Sequence, residues 1–498
     1  MEAALPLIIQ GGMGIGVSNW RLARAVSLRG HLGVVSGTCI DSVLVRRLQD
    51  GLDALDIRAA MERFPLPEVS LRTLKSYFLP NGRPEGTPYK LLPMWREKVS
   101  KAREQITMLA SFVEVHLAKR DHDGLIGINL LTKVQMPNLA TLYGAMLAGV
   151  DYVLMGAGIP REIPGVLDAF ARGELASMRF DVDGLAPGET RELTFDPADH
   201  FDGNPPMLKR PKFLPIVAAS SLATMLLRKA TGEIDGFVVE GPTAGGHNAP
   251  PRGKLAVDET GEPVYGPRDV VDPAEMKALG KPFWMAGGTG SPEAVQQAVD
   301  AGAAGVQVGT LFAFCEESGL APSLKYSALA QVRAGAVDVK TDLRASPTGF
   351  PFKVLNLPGT NAIAEQYEQR TRICDLGYLR TAYKRADGRI DYRCPAEPVK
   401  DWIRKGGAPE EAVGRKCLCN GLMANIDLAQ TRDDGLERAL LTTGNELANM
   451  RPFLGDRESY SADDVIDYLT ALVGDRRRDV VYASGSAVSA GAAEVVAS

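Results

Sequence analysis

Residues 283–310 read FWMAGGTGSPEAVQQAVDAGAAGVQVGT. The first four, FWMA, form a short apolar run of the kind that is buried on both faces of a sheet. Gly287-Gly288-Thr289-Gly290 follows, and a helix N-terminus falls at Ser291. Residues 292–301 then carry apolar side chains at helical spacing. A second apolar run, 305–308 (GVQV), ends in Gly309-Thr310. Strand, glycine loop, helix and strand in this order make a parallel unit.

The same rhythm extends back to the start of the chain. Strand-like runs fall at 5–10 (LPLIIQ), 32–36 (LGVVS), 125–131 (LIGINLL), 151–155 (DYVLM), 213–218 (FLPIVA) and 236–239 (GFVV). Helical patterns at 19–28, 139–148, 163–172 and 222–230 separate most of them, the first capped by Ser18. About eight strands between residues 5 and 312 suit a closed TIM (β/α)8 barrel better than an open sheet. Residues 178–182 (MRFDV) are a candidate extra strand. Residues 50–105 read as a helical insertion, 183–210 as a polar, proline-rich one, and 242–271 as a long loop over one end of the barrel. The expected division is a barrel over 1–315, a mostly helical extension over 316–482, and a frayed tail over 483–498.

Composition narrows the function. The chain has 498 residues, 45% of them hydrophobic, enough for a sizeable core. Its 56 basic and 61 acidic residues give a net charge of −5, which argues against a general nucleic-acid binder. Six cysteines are too few for a secreted disulfide scaffold. No apolar run reaches the ~18 residues of a membrane span. The N-terminal residues lack a signal-peptide pattern, and the expected location is the cytoplasm.

The glycines carry the functional signal. Clusters at 11–16 (GGMGIG), 241–246, 287–290 and 309 each follow a strand. Loops after barrel strands open onto one face, where ligands bind. The last two clusters follow the presumed seventh and eighth strands, the usual barrel phosphate site. There the N–H groups of Gly287, Gly288, Gly309 and Thr310 would cradle a phosphate. The first cluster is no dinucleotide fingerprint, because Gly12, Gly14 and Gly16 alternate and no acidic residue ends the second strand. Of five histidines, His247 stands out, in a glycine-rich loop at the ligand face that suits acid–base work. His31, His116, His122 and His200 read as structural or solvated. Cys374, Cys394, Cys417 and Cys419 are separated by 19, 22 and 1 residues. Four thiolates are enough for zinc or an iron–sulfur cluster, but these gaps match no standard ligand pattern, and the four read as free buried thiols, with metal binding left open.

The stretches PLIIQGGM (6–13), EGPTAGGH (240–247), AGG (286–288) and AAGVQVGTLF (303–312) resemble, in this order, the nitronate monooxygenase family, formerly 2-nitropropane dioxygenases. The same barrel family holds flavin-dependent enoyl reductases, including trans-acting ones of fatty acid and polyketide synthesis. The resemblance implies non-covalent FMN. Gly287, Gly288, Gly309 and Thr310 would hold its phosphate. Gly11, Gly12, Met13 and Gly14 would lie against the flavin ring, near Asn129, Gly245, Gly246 and Gln307. It also implies His247 as the catalytic residue, titrating near ~6.5. The implied activity is oxidation of alkyl nitronates with O2. The alternative is NAD(P)H-dependent reduction of carrier-bound enoyl groups, and a weaker one is a barrel that binds FMN without turnover. The long extension resembles relatives that act with carrier proteins. The expected partners are a small-molecule substrate and, in the alternative, an acyl carrier protein; a homodimer is left open.

Overall fold

The computed structural model describes residues 5–473; the tail at 483–498 lies outside the described residues. Eight parallel strands occupy the eight expected runs. They are β1 (Ile8–Gln10), β2 (Gly33–Ser36), β3 (Ile126–Leu131), β4 (Tyr152–Gly156), β5 (Lys212–Val217), β6 (Phe237–Glu240), β7 (Phe283–Ala286) and β8 (Gly305–Val308). Neighbours in sequence pair side by side, and β8 pairs with β1. Bonds from Gln10 N to Leu32 O (2.9 Å) and from Leu32 N to Ile8 O (3.0 Å) join β1 to the chain entering β2. The sheet therefore closes into a barrel.

Alternation along each strand decides what fills it. Ile9, Val34, Leu154, Leu214, Val238 and Trp284 form an apolar cluster of their own, inside the barrel. Ile8, Val35, Val153, Phe213, Val239 and Phe283 belong to the larger cluster outside it, under the helices. Positions two residues further along the inward rows, Asn129, Glu240 and Gln307, reach the cavity at the C-terminal mouth.

The helices α1 (Trp20–Leu28), α2 (Ile40–Asp50), α3 (Ala54–Glu62), α4 (Pro67–Tyr77), α5 (Lys101–Lys119), α6 (Asn138–Leu147), α7 (Ile163–Ala171), α8 (Ser220–Lys229) and α9 (Pro292–Asp300) surround the barrel or build the insertion after β2. Asn19, not Ser18, caps α1: its side chain accepts from Leu22 N at 2.9 Å. Ser18 is engaged in the glycine loop described below. The candidate extra strand forms as Ala176–Arg179, but it pairs antiparallel with Glu192–Phe195 outside the barrel.

The extension contains helices α10 (Pro322–Ala334), α11 (Leu418–Ala424) and α12 (Ala462–Thr470). It also holds antiparallel pairs that the apolar pattern does not reveal, Val339–Asp342 with Phe352–Leu355 and Thr381–Lys384 with Ile390–Arg393. Helix α12 returns to the barrel and packs on α1 and α9. It thus fills the helix position after β8. No helix among the described residues is long and apolar enough to cross a membrane.

A buried carboxylate ties these parts together. Asp41, at the start of α2, is 1% exposed. It meets Arg103 Nη1 at 2.7 Å, Thr107 Oγ1 at 2.7 Å and Trp95 Nε1 at 3.2 Å, and it accepts from the Tyr378 hydroxyl of the extension. Burial alone would raise its pKa; Arg103 and the bonds from Tyr378 and Thr107 outweigh that and hold it below its usual value. Removing one partner of such a pair leaves an uncompensated charge. Asp41→Ala is expected to destabilise the chain by about 3–5 kcal/mol, read from the shift of a thermal or denaturant midpoint. Because the folded pKa is depressed, the stabilisation from Asp41 is present above the ordinary value of 3.8 and is lost as pH falls below it.

Candidate active site

The mouth of the barrel holds a cavity with about 220 Å³ open to the centres of water molecules. The loop after β1 forms one wall. Its course is set by Gln10, whose Oε1 accepts from Val34 N at 2.9 Å and whose Nε2 donates to Ser18 Oγ at 2.7 Å. Ser18 Oγ in turn accepts from Met13 N (2.8 Å) and donates to Gly11 O (2.7 Å). Asn129 Nδ2 donates to Gly12 O at 2.9 Å and fixes the middle of the loop from inside the barrel.

The loops after β7 and β8 form the opposite end. Gly287 and Gly288 have φ of 81° and 77°, so two successive residues are left-handed, a conformation that favours glycine. The amides of Gly288, Gly309 and Thr310 have no hydrogen-bond partner among the described residues. Thr289 Oγ1 donates to Gln307 O at 3.0 Å, and Ser291 caps α9. A cluster of unpaired amides beside a helix N-terminus is a ready anion site.

Three polar side chains make the floor. Asn129 is bonded as above. Gln307 Oε1 is buried with no partner, an orphan acceptor facing the cavity. The carboxyl of Glu240, at the end of β6, makes no hydrogen bond among the described residues; burial raises its pKa to about 8, so it is a neutral acid at pH 7. The unpaired amides and the orphaned Gln307 fit a polar, phosphate-bearing ligand with a hydrogen-bonding ring.

His247 stands on the rim. Gly246 O accepts from Lys353 N at 2.9 Å and Asn248 N donates to Pro351 O at 2.9 Å, so the histidine bridges to the Phe352–Leu355 strand of the extension. It is therefore pinned, not carried by a flexible loop. Nε2 lies 2.7 Å from Ser346 Oγ, and the ring lies 4.9 Å from that of Phe352. Burial lowers its pKa to about 4, well below the value near ~6.5 expected from the sequence. It is neutral at physiological pH. Among the described residues, no lysine or arginine lines the cavity.

Of the residues singled out in the sequence, Gly11, Gly12, Met13, Gly14, Asn129, Gly245, Gly246, His247, Gly287, Gln307, Gly309 and Thr310 all line this one cavity. Gly288 does not line it and is exposed. The other four histidines do not line it. What the sequence did not reveal is the share of the extension. Tyr378, Leu379, Leu418, Leu422, Thr442, Thr443, Gly444 and Glu446 close the cavity from above. Thr442 Oγ1 accepts from Gly246 N (2.8 Å), Gly444 N donates to Thr310 Oγ1 (3.1 Å), Asn445 N donates to Thr243 O (3.0 Å), and Glu446 accepts from Gly290 N. Residues 442–446 thus strap the loops after β6, β7 and β8 together. The Thr-Thr-Gly at 442–444 is a small-residue cluster like the others, but it follows no strand and so carries no positional signal.

A closed parallel barrel thus carries, at the mouth where its strands end, an amide-lined cavity with an orphaned acceptor on its floor. Residues 200–389 match the model of the family described as nitronate monooxygenase. No curated protein matches the chain. Among solved structures it is similar to FabK from Thermotoga maritima, at 16% identity and a TM-score of 0.45 over 94% of this chain and 93% of that one. It is also similar to nitroalkane oxidase from Streptomyces ansochromogenes (15%, 0.45, over 95% and 98%). A third is the enoyl reductase domain of MlnA from the macrolactin cluster of Bacillus amyloliquefaciens (12%, 0.44, over 95% and 95%).

The opposed shifts of Glu240 and His247 give a direct test. An infrared pH titration should show a protonated carboxyl band that disappears as pH rises through about 8 and that is missing from Glu240→Gln. A wild-type minus Glu240→Gln difference spectrum without that band at pH 6 would show that Glu240 is ionised.

Proposed function

We propose that the chain is an FMN-dependent oxidoreductase that oxidises nitro compounds or their nitronates, in keeping with the description of the matched family. The observation that supports this reading best is His247. A neutral imidazole is held at Nε2 by Ser346, and its Nδ1 makes no bond within the described residues. It is a proton acceptor at the wall of the cavity. With no cation on that wall, the substrate enters most favourably uncharged, and its α-proton passes to His247 Nδ1. A protonated Glu240 on the floor can donate a hydrogen bond to the negative charge this creates.

FMN, when bound, supplies the redox chemistry. The amides of Gly287, Gly288, Gly309 and Thr310 would hold its phosphate. Gly11, Gly12, Met13, Gly14, Asn129 and Gln307 would face its ring, with Gly245 and Gly246 at the rim. The extension excludes water by covering the mouth with Leu379, Leu418 and Leu422.

The same apolar roof favours a second reading, NAD(P)H-dependent reduction of an enoyl group on an acyl carrier protein, since a long acyl chain would lie along it. Anaerobic mixing separates the two. Nitroalkane or nitronate should bleach the flavin spectrum of the purified chain; bleaching by NAD(P)H alone would favour the second reading. A denatured sample that releases no FMN would remove both. His247→Ala is expected to keep its FMN and to lose turnover by about 10²–10⁴-fold. Unchanged turnover would reject the role of His247.

A further inference from the structure

His247 lines the cavity at the barrel mouth, but the hydroxyl bonded to it does not. Ser346 Oγ, fully buried, lies 2.7 Å from His247 Nε2 and 2.8 Å from Thr348 Oγ1. Thr348 is half-buried and lies outside the cavity, and the next residue, Gly349, is exposed. A file of three groups therefore runs from the cavity wall toward the protein surface: an imidazole, a buried hydroxyl and a half-buried hydroxyl. The backbone holds the file in place. Thr348 N donates to Ser346 Oγ at 3.2 Å. Gly349 N donates to Ser346 O at 3.2 Å, and Arg415 Nη1 donates to the same carbonyl at 2.5 Å.

The donors and acceptors of this file can be counted. Ser346 Oγ has one hydrogen and two lone pairs. The Thr348 amide occupies one lone pair permanently. The other lone pair and the hydrogen serve His247 and Thr348 Oγ1, in either of two arrangements. In one, Nε2–H donates to Ser346, and Ser346 donates to Thr348. In the other, Thr348 donates to Ser346, and Ser346 donates to a bare Nε2. Both satisfy every group and differ only in the direction of the hydrogens. A chain with these two states passes a proton along without keeping a charge.

The surroundings of His247 call for such a chain. No carboxylate lies within ion-pair reach of the ring among the described residues, and burial disfavours its charged form. An imidazolium there would stand uncompensated. A proton taken at Nδ1 is accommodated when another leaves from Nε2.

We propose that Ser346 and Thr348 form a proton relay that connects His247 with the outside of the enclosed site. As the α-carbon of the substrate gives its proton to Nδ1, the Nε2 proton passes to Ser346 Oγ. The hydroxyl hydrogen of Ser346 passes to Thr348 Oγ1, and that of Thr348 passes to water at the surface. The electron pair of the broken C–H bond stays on the substrate, and the imidazole stays neutral in its other tautomer. It is reset when Nδ1 releases its proton into the cavity and the relay returns one to Nε2. Neither hydroxyl touches the substrate; both act through His247. That the proton comes from a nitro compound rests on the function proposed above, whereas the relay itself does not.

Thr348 gives the test, because it is half-buried and outside the cavity. The full chain is labelled with nitrogen-15 histidine, and His247→Gln assigns the ring signals by their loss. The readout is exchange of the Nε2 hydrogen with solvent at pH 7 by nuclear magnetic resonance, which needs neither substrate nor FMN. Thr348→Val removes the hydroxyl, keeps the shape, and should slow this exchange by about tenfold or more. Thr348→Ser keeps the hydroxyl and should exchange like wild type. Wild-type exchange in Thr348→Val overturns the relay, and so does exchange in Thr348→Ser as slow as in Thr348→Val. Should Thr348→Val fail to fold, Ser346→Ala decides by the same readout: slowed exchange supports the relay and wild-type exchange overturns it. Slowed exchange in Thr348→Val together with no turnover of nitro compounds by the wild type supports the relay and rejects the proposed substrate.

Discussion

The buried carboxylate of Asp41 is the interaction on which the rest of the structure leans. A charge taken fully out of water must be paired and hydrogen-bonded, or it unfolds its surroundings. Asp41 meets that demand with groups from the insertion after β2 (Arg103, Thr107, Trp95) and from the extension (Tyr378). Tyr378 and Leu379 are thereby fixed over the mouth of the barrel. Both line its cavity. One ion pair thus positions the roof of the candidate active site.

The extension is consequently part of the site and not an appendage. The strap at 442–446 bonds to three barrel loops, the Phe352–Leu355 strand pins His247, and α12 fills the last helix position of the barrel. This enclosure explains the two opposed pKa shifts. Glu240 and His247 are both kept from bulk water, and desolvation favours the neutral form of each, raising the acid and lowering the base. An open barrel mouth would leave both near their ordinary values.

The barrel was legible in the sequence because its signal is local. Eight apolar runs, buried on both faces and several of them followed by glycine, declare parallel strands without reference to anything distant. The glycine loops were legible for the same reason, since the position after a barrel strand already says which face a residue serves. Glu240 was visible only as the first letter of EGPTAGGH; its importance comes from inward parity on β6 plus a roof supplied from residue 378 onward. The burial that lowers the pKa of His247 comes from residues such as Phe352, about a hundred residues away, and could not be read from its own loop. The cysteine spacing of 19, 22 and 1 residues did not reveal that all four line one small cavity, because spacing informs only when residues sit on one turn or hairpin. Here they come from separate loops and the start of α11.

The central claim is that barrel loops and extension together form one cofactor cavity. Gly444 tests it, because a Cβ there would stand 2.8 Å from Thr310 Oγ1 and 2.9 Å from Thr243 O, forcing the strap off the loops after β6 and β8. The measurement is FMN affinity of the Gly444→Val chain, by flavin fluorescence titration of apoprotein, with thermal melting to confirm that it is folded. The account predicts affinity weaker than wild type by about tenfold or more. Wild-type affinity in a folded Gly444→Val chain would contradict it and return the extension to a merely external role.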